Sequence, residues 1–192
     1  MKAGVRALGI AESYRGDRDC DRTRSTLAGA VVRADRVCDG LAYGTCRVGG
    51  TDGTDAVIEV IEELDRPDAR YVLLGAIAPA WYNILALSRI REAVDRPVIA
   101  VTFEASDGLE TGLRDAFSGP ELEARLAVYR ALPDRRELSV GDETVYVRHV
   151  GLEPAKADDV VRAFTPEGGR PEPIRIARMA ARAADSYARS FE

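Results

Sequence analysis

The sequence predicts an α/β fold: a mixed sheet of five strands flanked by helices, in one domain spanning residues 1–192. Three observations predict it. Short apolar runs bounded by turn residues recur along the chain, the mark of buried strands. Apolar stripes at helical spacing alternate with the later runs, and a strand–helix–strand series with short links pairs in parallel through right-handed crossovers. The chain has 192 residues, 46% hydrophobic and 31% charged, enough to bury a core without staples and too apolar for disorder.

The elements follow in order. Val5 to Ala11 is apolar apart from Arg6 and reads as the first strand, ending at Glu12-Ser13. Residues 14–25 are highly charged and contain Gly16, which predicts a loop. Leu27 to Val32 and Val37 to Val48 read as an antiparallel pair turning at Asp35-Arg36. Gly29, Gly40 and Gly44 within them predict bulges or close backbone approach. The polar turn from Gly49 to Asp55 precedes a helix with Val57, Val60, Ile61 and Leu64 on one face, and Asp52 or Thr54 is placed to cap it. Tyr71 to Ile77 and Pro97 to Phe103 are the fourth and fifth strands, separated by the helical stripe Ile84, Leu87, Ile90 and Val94. Residues 108–132 read as helix broken at Gly119-Pro120, and Leu138 to Val150 as a small hairpin turning at Gly141-Asp142. Val160, Val161 and Phe164 mark a short helix; Ile176, Met179, Ala180, Ala183, Ala184 and Tyr187 mark a long last one.

Composition narrows the function. A net charge of −5 speaks against a broad basic nucleic-acid face, although a local groove or a bound metal can supply the same field. No apolar run reaches bilayer length, and the N-terminal Met-Lys-Ala-Gly-Val-Arg has no signal-peptide pattern, so the expected location is the cytoplasm, with no membrane partner. Cys20, Cys38 and Cys46 lack metal-site spacing and His149 is the only histidine, which argues against a zinc centre. The chain has no P-loop, no dinucleotide fingerprint and no nucleophile elbow. The arginines at 15, 18, 22 and 24 alternate with Asp17, Asp19 and Asp21, as in a solvated loop, and Trp81-Tyr82 reads as aromatic packing before it reads as a base-stacking platform.

Ligands of open α/β sheets gather at the carboxyl ends of parallel strands. Glu12 follows the first strand and Glu104 the fifth, Gly75 and Ala76 lie near the end of the fourth, and Asp52 and Asp55 stand in the polar turn. Clustered carboxylates suit Mg²⁺ or Mn²⁺, which can activate water and stabilise charge on a phosphate. A turn plus a helix cap accounts for Asp52 and Asp55 equally well.

Five stretches, in order, resemble one family. Leu8-Gly9-Ile10-Ala11-Glu12 resembles G-I-D-D. Asp52-Gly53-Thr54-Asp55-Ala56 resembles D-G-x-D-A. Leu74-Gly75-Ala76-Ile77 through Tyr82-Asn83-Ile84 resembles L-D-G-I followed by a G-F-N turn. Pro97 to Val101 resembles P-V-I-x-V, and Pro171-Glu172-Pro173-Ile174-Arg175-Ile176-Ala177 resembles P-E-P-x-R-x-A. Together they resemble the archaeal endonuclease dU family, distantly similar to endonuclease V, over nearly the whole chain. The resemblance implies a ribonuclease-H-like fold and metal-dependent cleavage of DNA carrying deaminated bases such as uracil, read after the base leaves the stack. It implies Glu12, Asp52 and Asp55 as catalytic acids, with Glu12 and Asp52 on Mg²⁺ or Mn²⁺, and Tyr82, Asn83, Glu172 and Arg175 at the DNA.

The departures fall on the chemistry. The first acid of G-I-D-D is Ala11, and the acid of L-D-G-I is Gly75. Glu12 is displaced by one position, which on a regular strand turns it to the other face. Two further readings therefore stand beside the nuclease: a relative that binds nucleic acid or a nucleotide without cutting, and an interaction protein such as a homodimer.

Overall fold

A computed structural model describes residues 1–16 and 23–191. Cys20 and the charged residues 17–22 of the first loop lie outside the described residues. The chain runs β1 (Arg6–Glu12), β2 (Arg24–Arg33), β3 (Cys38–Arg47), α1 (Gly53–Leu64), β4 (Ala69–Leu74), α2 (Pro79–Tyr82), α3 (Leu87–Val94) and β5 (Val98–Thr102). It continues through α4 (Glu110–Ala116), α5 (Gly119–Arg130), β6 (Arg136–Val140), β7 (Glu143–Val150), α6 (Pro154–Ala163) and α7 (Glu172–Arg189).

All strands join one sheet of order β3-β2-β1-β4-β5-β7-β6. The first three are antiparallel, β1–β4 and β4–β5 are parallel, and β7 closes antiparallel on β5. The predicted hairpin is therefore β6–β7. It does not stand apart but extends the five-stranded sheet to seven, because Val145 and Val147 of β7 pack with Ile99 and Val101 of β5 in one core.

Helices cover both faces. On one, Val57, Val60 and Ile61 of α1 and Leu87 and Ile90 of α3 pack with Leu8 and Ile10 of β1. On the other, α6 and the start of α7 pack on Leu73, Ile99 and the hairpin. Two of the predicted glycines are close approaches: a side chain at Gly29 or Gly44 would strike Val60 of α1 at 2.8 or 2.6 Å. The bulge predicted nearby appears as a register shift between Val31 and Val32, opposite Gly40 and Cys38.

The last helix differs from the expected stripe. Its buried face is Ile174, Ala177, Ala181 and Asp185, whereas Met179 and Tyr187 are exposed. The cause is close packing. Ala177 lies against Ala30 and Val32 of β2, where a larger residue would hold the helix away. Gly9 of β1 has Pro173 and Ile174 directly above it; an added Cβ would lie 2.1 Å from the Pro173 carbonyl carbon. No helix among the described residues is long and apolar enough to cross a membrane.

Candidate functional site

At the carboxyl ends of β1 and β4 the sheet opens into a cavity of about 110 Å³. Ile10, Leu27, Leu74, Leu85 and Ile174 give it apolar walls, and Glu12, Tyr14 and Arg178 give it polar ones. Here a half-buried carboxyl, an arginine and an apolar hollow meet.

Glu12 ends β1 on the α1 side of the sheet, in line with Leu8 and Ile10, while Ala11 faces the α7 side. Its Oε2 accepts a hydrogen bond from the Ala80 backbone N–H at 2.6 Å and one from the Ser25 hydroxyl at 3.3 Å. Burial pushes its carboxyl up to about 7, against the pull of those two donors and of Arg178. The donor at Ala80 comes from an unusual backbone. Ala80, Trp81 and Tyr82 all have positive φ (47, 57 and 60°), so α2 is a left-handed turn in place of an ordinary helical one. The turn is braced by its own rings, with Trp81 and Tyr82 packing on Phe117 at centroid distances of 5.3 and 6.1 Å.

Asp52 has a different role. It occupies the cap position before α1 but makes no side-chain cap bond. Its carboxylate turns back to the Arg47 backbone N–H, at 3.1 and 3.2 Å, and accepts from Asn83 Nδ2 at 2.7 Å. Asn83 is fully buried and its amide is consumed: Oδ1 accepts from Gly53 N at 2.7 Å, and Nδ2 also donates to the Arg47 carbonyl at 3.0 Å. Thr54 does not cap either, since its hydroxyl accepts from Ala86 N at 3.0 Å. Asp55 lies on the surface of α1, paired with Arg89.

The expected cluster of Glu12, Asp52 and Asp55 does not form. No group of three His, Cys, Asp or Glu side chains among the described residues is placed to hold a metal ion. The donor set does not fit Mg²⁺ or Mn²⁺, which need converging oxygens. The carboxyl in the cavity has Arg178 for a neighbour, Ala11 and Gly75 offer no oxygen, and a side chain at Gly75 would meet a methyl of Ile174 at 2.8 Å. Buried Cys46 feels both Glu12 and Asp52. Burial first, then these two charges, push its thiol up to about 12.

The other candidates also stand away from the cavity. Glu172 and Arg175 pair with each other at 2.7 Å on α7, and Tyr82 packs against Phe117. Arg178, one turn beyond Arg175, is the residue sequence reasoning missed. Its signal was present: it and Arg182 are four apart on α7, and Arg178 has no acid three or four residues away on the helix.

A mixed sheet with an antiparallel start, a parallel centre, helices on both faces and a cavity at the strand ends defines an α/β protein with a ribonuclease-H-like fold. Comparison with known proteins agrees. The family model described as Endonuclease dU matches residues 3–185, and the chain belongs to that family. A UPF0215 protein of Pyrobaculum calidifontis is 31% identical over 183 residues, covering 94% of this chain and 97% of its own. One from Thermococcus gammatolerans is 32% identical over 186 residues, covering 95% and 93%. The crystal structure of a protein of unknown function from Archaeoglobus fulgidus superposes with a TM-score of 0.80 at 24% identity, covering 94% of this chain and 98% of that one. Endonuclease V of Ciona intestinalis, solved with a 24mer DNA containing an inosine, has the same fold at a TM-score of 0.62 and 14% identity, covering 96% and 87%.

Proposed function

We propose that this chain binds DNA carrying a deaminated base, receives that base in the cavity at the ends of β1 and β4, and does so as a reader in place of a metal-dependent cutter. The observation that carries the proposal is the half-buried Glu12 carboxyl in an apolar-walled hollow. With its carboxyl at about 7, Glu12 is partly protonated at neutral pH. Oε2 is engaged by Ala80 and Ser25, so the proton sits on Oε1 and offers a donor into the hollow. That donor is the complement of the C=O that deamination creates in uracil or hypoxanthine. A base already mispaired is also cheaper to turn out of the stack. Membership of the Endonuclease dU family and the DNA held by a neighbour of the same fold support the reading.

A second reading is cleavage with Mg²⁺ or Mn²⁺. One observation favours it: a carboxyl still stands at the end of β1, in the cavity.

One gel experiment separates them. Labelled single- and double-stranded DNA with deoxyuridine or deoxyinosine is incubated with the protein in Mg²⁺, Mn²⁺ or chelator, beside an active family relative. Binding without nicking is the expected result. Metal-dependent nicking abolished by Glu12→Gln or Asp52→Asn would install the second reading. Neither binding nor nicking, with the control active, would sink both.

A further inference from the structure

The helix that covers β1 carries four arginines, Arg175, Arg178, Arg182 and Arg189, which divide into two kinds. Arg175 is paired with Glu172, and Arg189 with Asp185 at 2.5 Å. Between them, Arg178 and Arg182 make no hydrogen bond or ion pair with any described residue, and the Nε of Arg182 is buried without a partner. Like charges four apart on a helix repel; Arg182 has Asp185 three residues on, but that carboxylate is paired with Arg189, and no acid on α7 offsets Arg178. Arg170, just before the helix, lies with its guanidinium 4.3 Å over the Phe103 ring, and its Nε is likewise buried and unpartnered. Arg15 belongs to the same neighbourhood: Arg170 and Arg15 act on Arg178, and Arg178 and Arg15 act on Arg182. Among the described residues, the acids facing Arg178 are Glu12 and the exposed Glu104.

Arg178 forms part of the cavity wall, and the other arginines are its electrostatic neighbours. A divalent cation brought to Glu12 would face Arg178 at close range and be repelled. An anion would meet guanidinium forks whose geometry matches phosphate oxygens. A chain with a net charge of −5 has thus gathered several arginines beside one hollow.

We propose that Arg178 and Arg182, with Arg170 beside them, hold a phosphate of the nucleic-acid strand directly, so that this protein engages DNA without any divalent metal. The inference rests on the DNA-binding reading above and adds which groups take the phosphate and what supplies the positive charge.

The test uses the full chain and a fluorescein-labelled single-stranded oligonucleotide containing one deoxyuridine, followed by fluorescence anisotropy in EDTA and in Mg²⁺ across a salt series. The expected affinity in EDTA is within about twofold of that in Mg²⁺. Arg178→Gln and Arg182→Gln each weaken binding about tenfold and each reduce the steepness of the salt dependence by about 0.7, the loss of one phosphate contact on a single strand. Arg178→Lys retains the salt slope. Arg114→Gln, which removes one surface charge outside the cavity lining, binds like the wild type. Melting curves confirm that each variant is folded, and the Arg178→Lys and Arg182→Gln proteins keep the test decisive should Arg178→Gln unfold. Binding that needs Mg²⁺, or glutamine variants that bind as the wild type does, would overturn the inference while leaving DNA binding in place. No binding with or without metal would overturn the DNA-binding reading itself, and the inference with it.

Discussion

Glu12 and Asp52 lie at the same end of the sheet, one closing β1 and the other following β3, and both act on the thiol of Cys46. Their surroundings are opposite. Asp52 is held by the Arg47 N–H and by Asn83, which in turn ties down Gly53, so its charge is spent on fixing the entry to α1. Glu12 has two donors against substantial burial, and burial wins: its carboxyl sits at about 7. An acid that finishes a strand is thus not a functional group by position alone. The one whose hydrogen bonds are satisfied is structural, and the one whose charge is opposed by its environment is available for chemistry.

The comparison can be broken by experiment, and the largest effect belongs to the structural side. Asn83→Ala strands the Gly53 N–H and the Arg47 carbonyl in the interior, and we expect a loss of about 4 kcal/mol in chemical denaturation. A loss below about 1 kcal/mol would show that Asp52 and Asn83 do not form a structural unit.

Glu12 should behave in the reverse sense. Its folded carboxyl is raised from 4.5 to about 7, so the wild type loses stability as pH climbs from 4.5 through 7. Glu12→Gln keeps an acceptor for Ala80 and Ser25 and has no charge to bury. The variant should match the wild type at and below pH 4.5 and exceed it at pH 8 by up to about 3 kcal/mol, measured as thermal or urea unfolding against pH. A difference that does not vary with pH would place the Glu12 carboxyl in ordinary surroundings.

Smaller effects sharpen the contrast. Asp52→Asn keeps the shape but weakens a charge-assisted acceptor, and about 1 kcal/mol of stability should go, measured by the same urea titration. Asp55→Asn removes an exposed pair with Arg89 and should change stability by less than about 0.5 kcal/mol, with DNA binding unaffected. A large effect at Asp55 in either assay would restore it to the site.

Much of the fold could be read along the chain, because strand and helix periods are local. The break at Gly119-Pro120, the close approaches at Gly29 and Gly44 and the parallel β4–β5 pairing all follow from residues near one another in sequence. The destination of the β6–β7 hairpin was not legible, since pairing β5 with β7 joins residues such as Val101 and Val147 across a long intervening segment. The buried face of α7 was misjudged for a related reason: the sheet selects the small Ala177 and Ala181 over Met179, and only the packing distance shows why.

The candidate site was half legible. Glu12 and the gaps at Ala11 and Gly75 came directly from the motifs. Asp52 could not be assigned, because its chief side-chain partner, Asn83, lies 31 residues away. Arg178 was overlooked because arginines along a helix are ordinary until folding shows one of them lining a cavity beside a carboxyl.

The contact at Gly9 has a consequence for how such a site is held. The first turn of α7 drops into the notch left by the missing side chain, with Pro173 and Ile174 against the strand backbone. A helix resting on side chains can be nudged along or away from a sheet by any neighbour that changes size; one seated on bare backbone has its height and lengthwise position fixed. Arg178 follows Ile174 by four residues, about 6 Å along the axis, so its place over the strand ends is set by a residue that touches no ligand and has nothing to touch it with. Changes elsewhere on α7 can then alter what the guanidinium meets while its location stays the same.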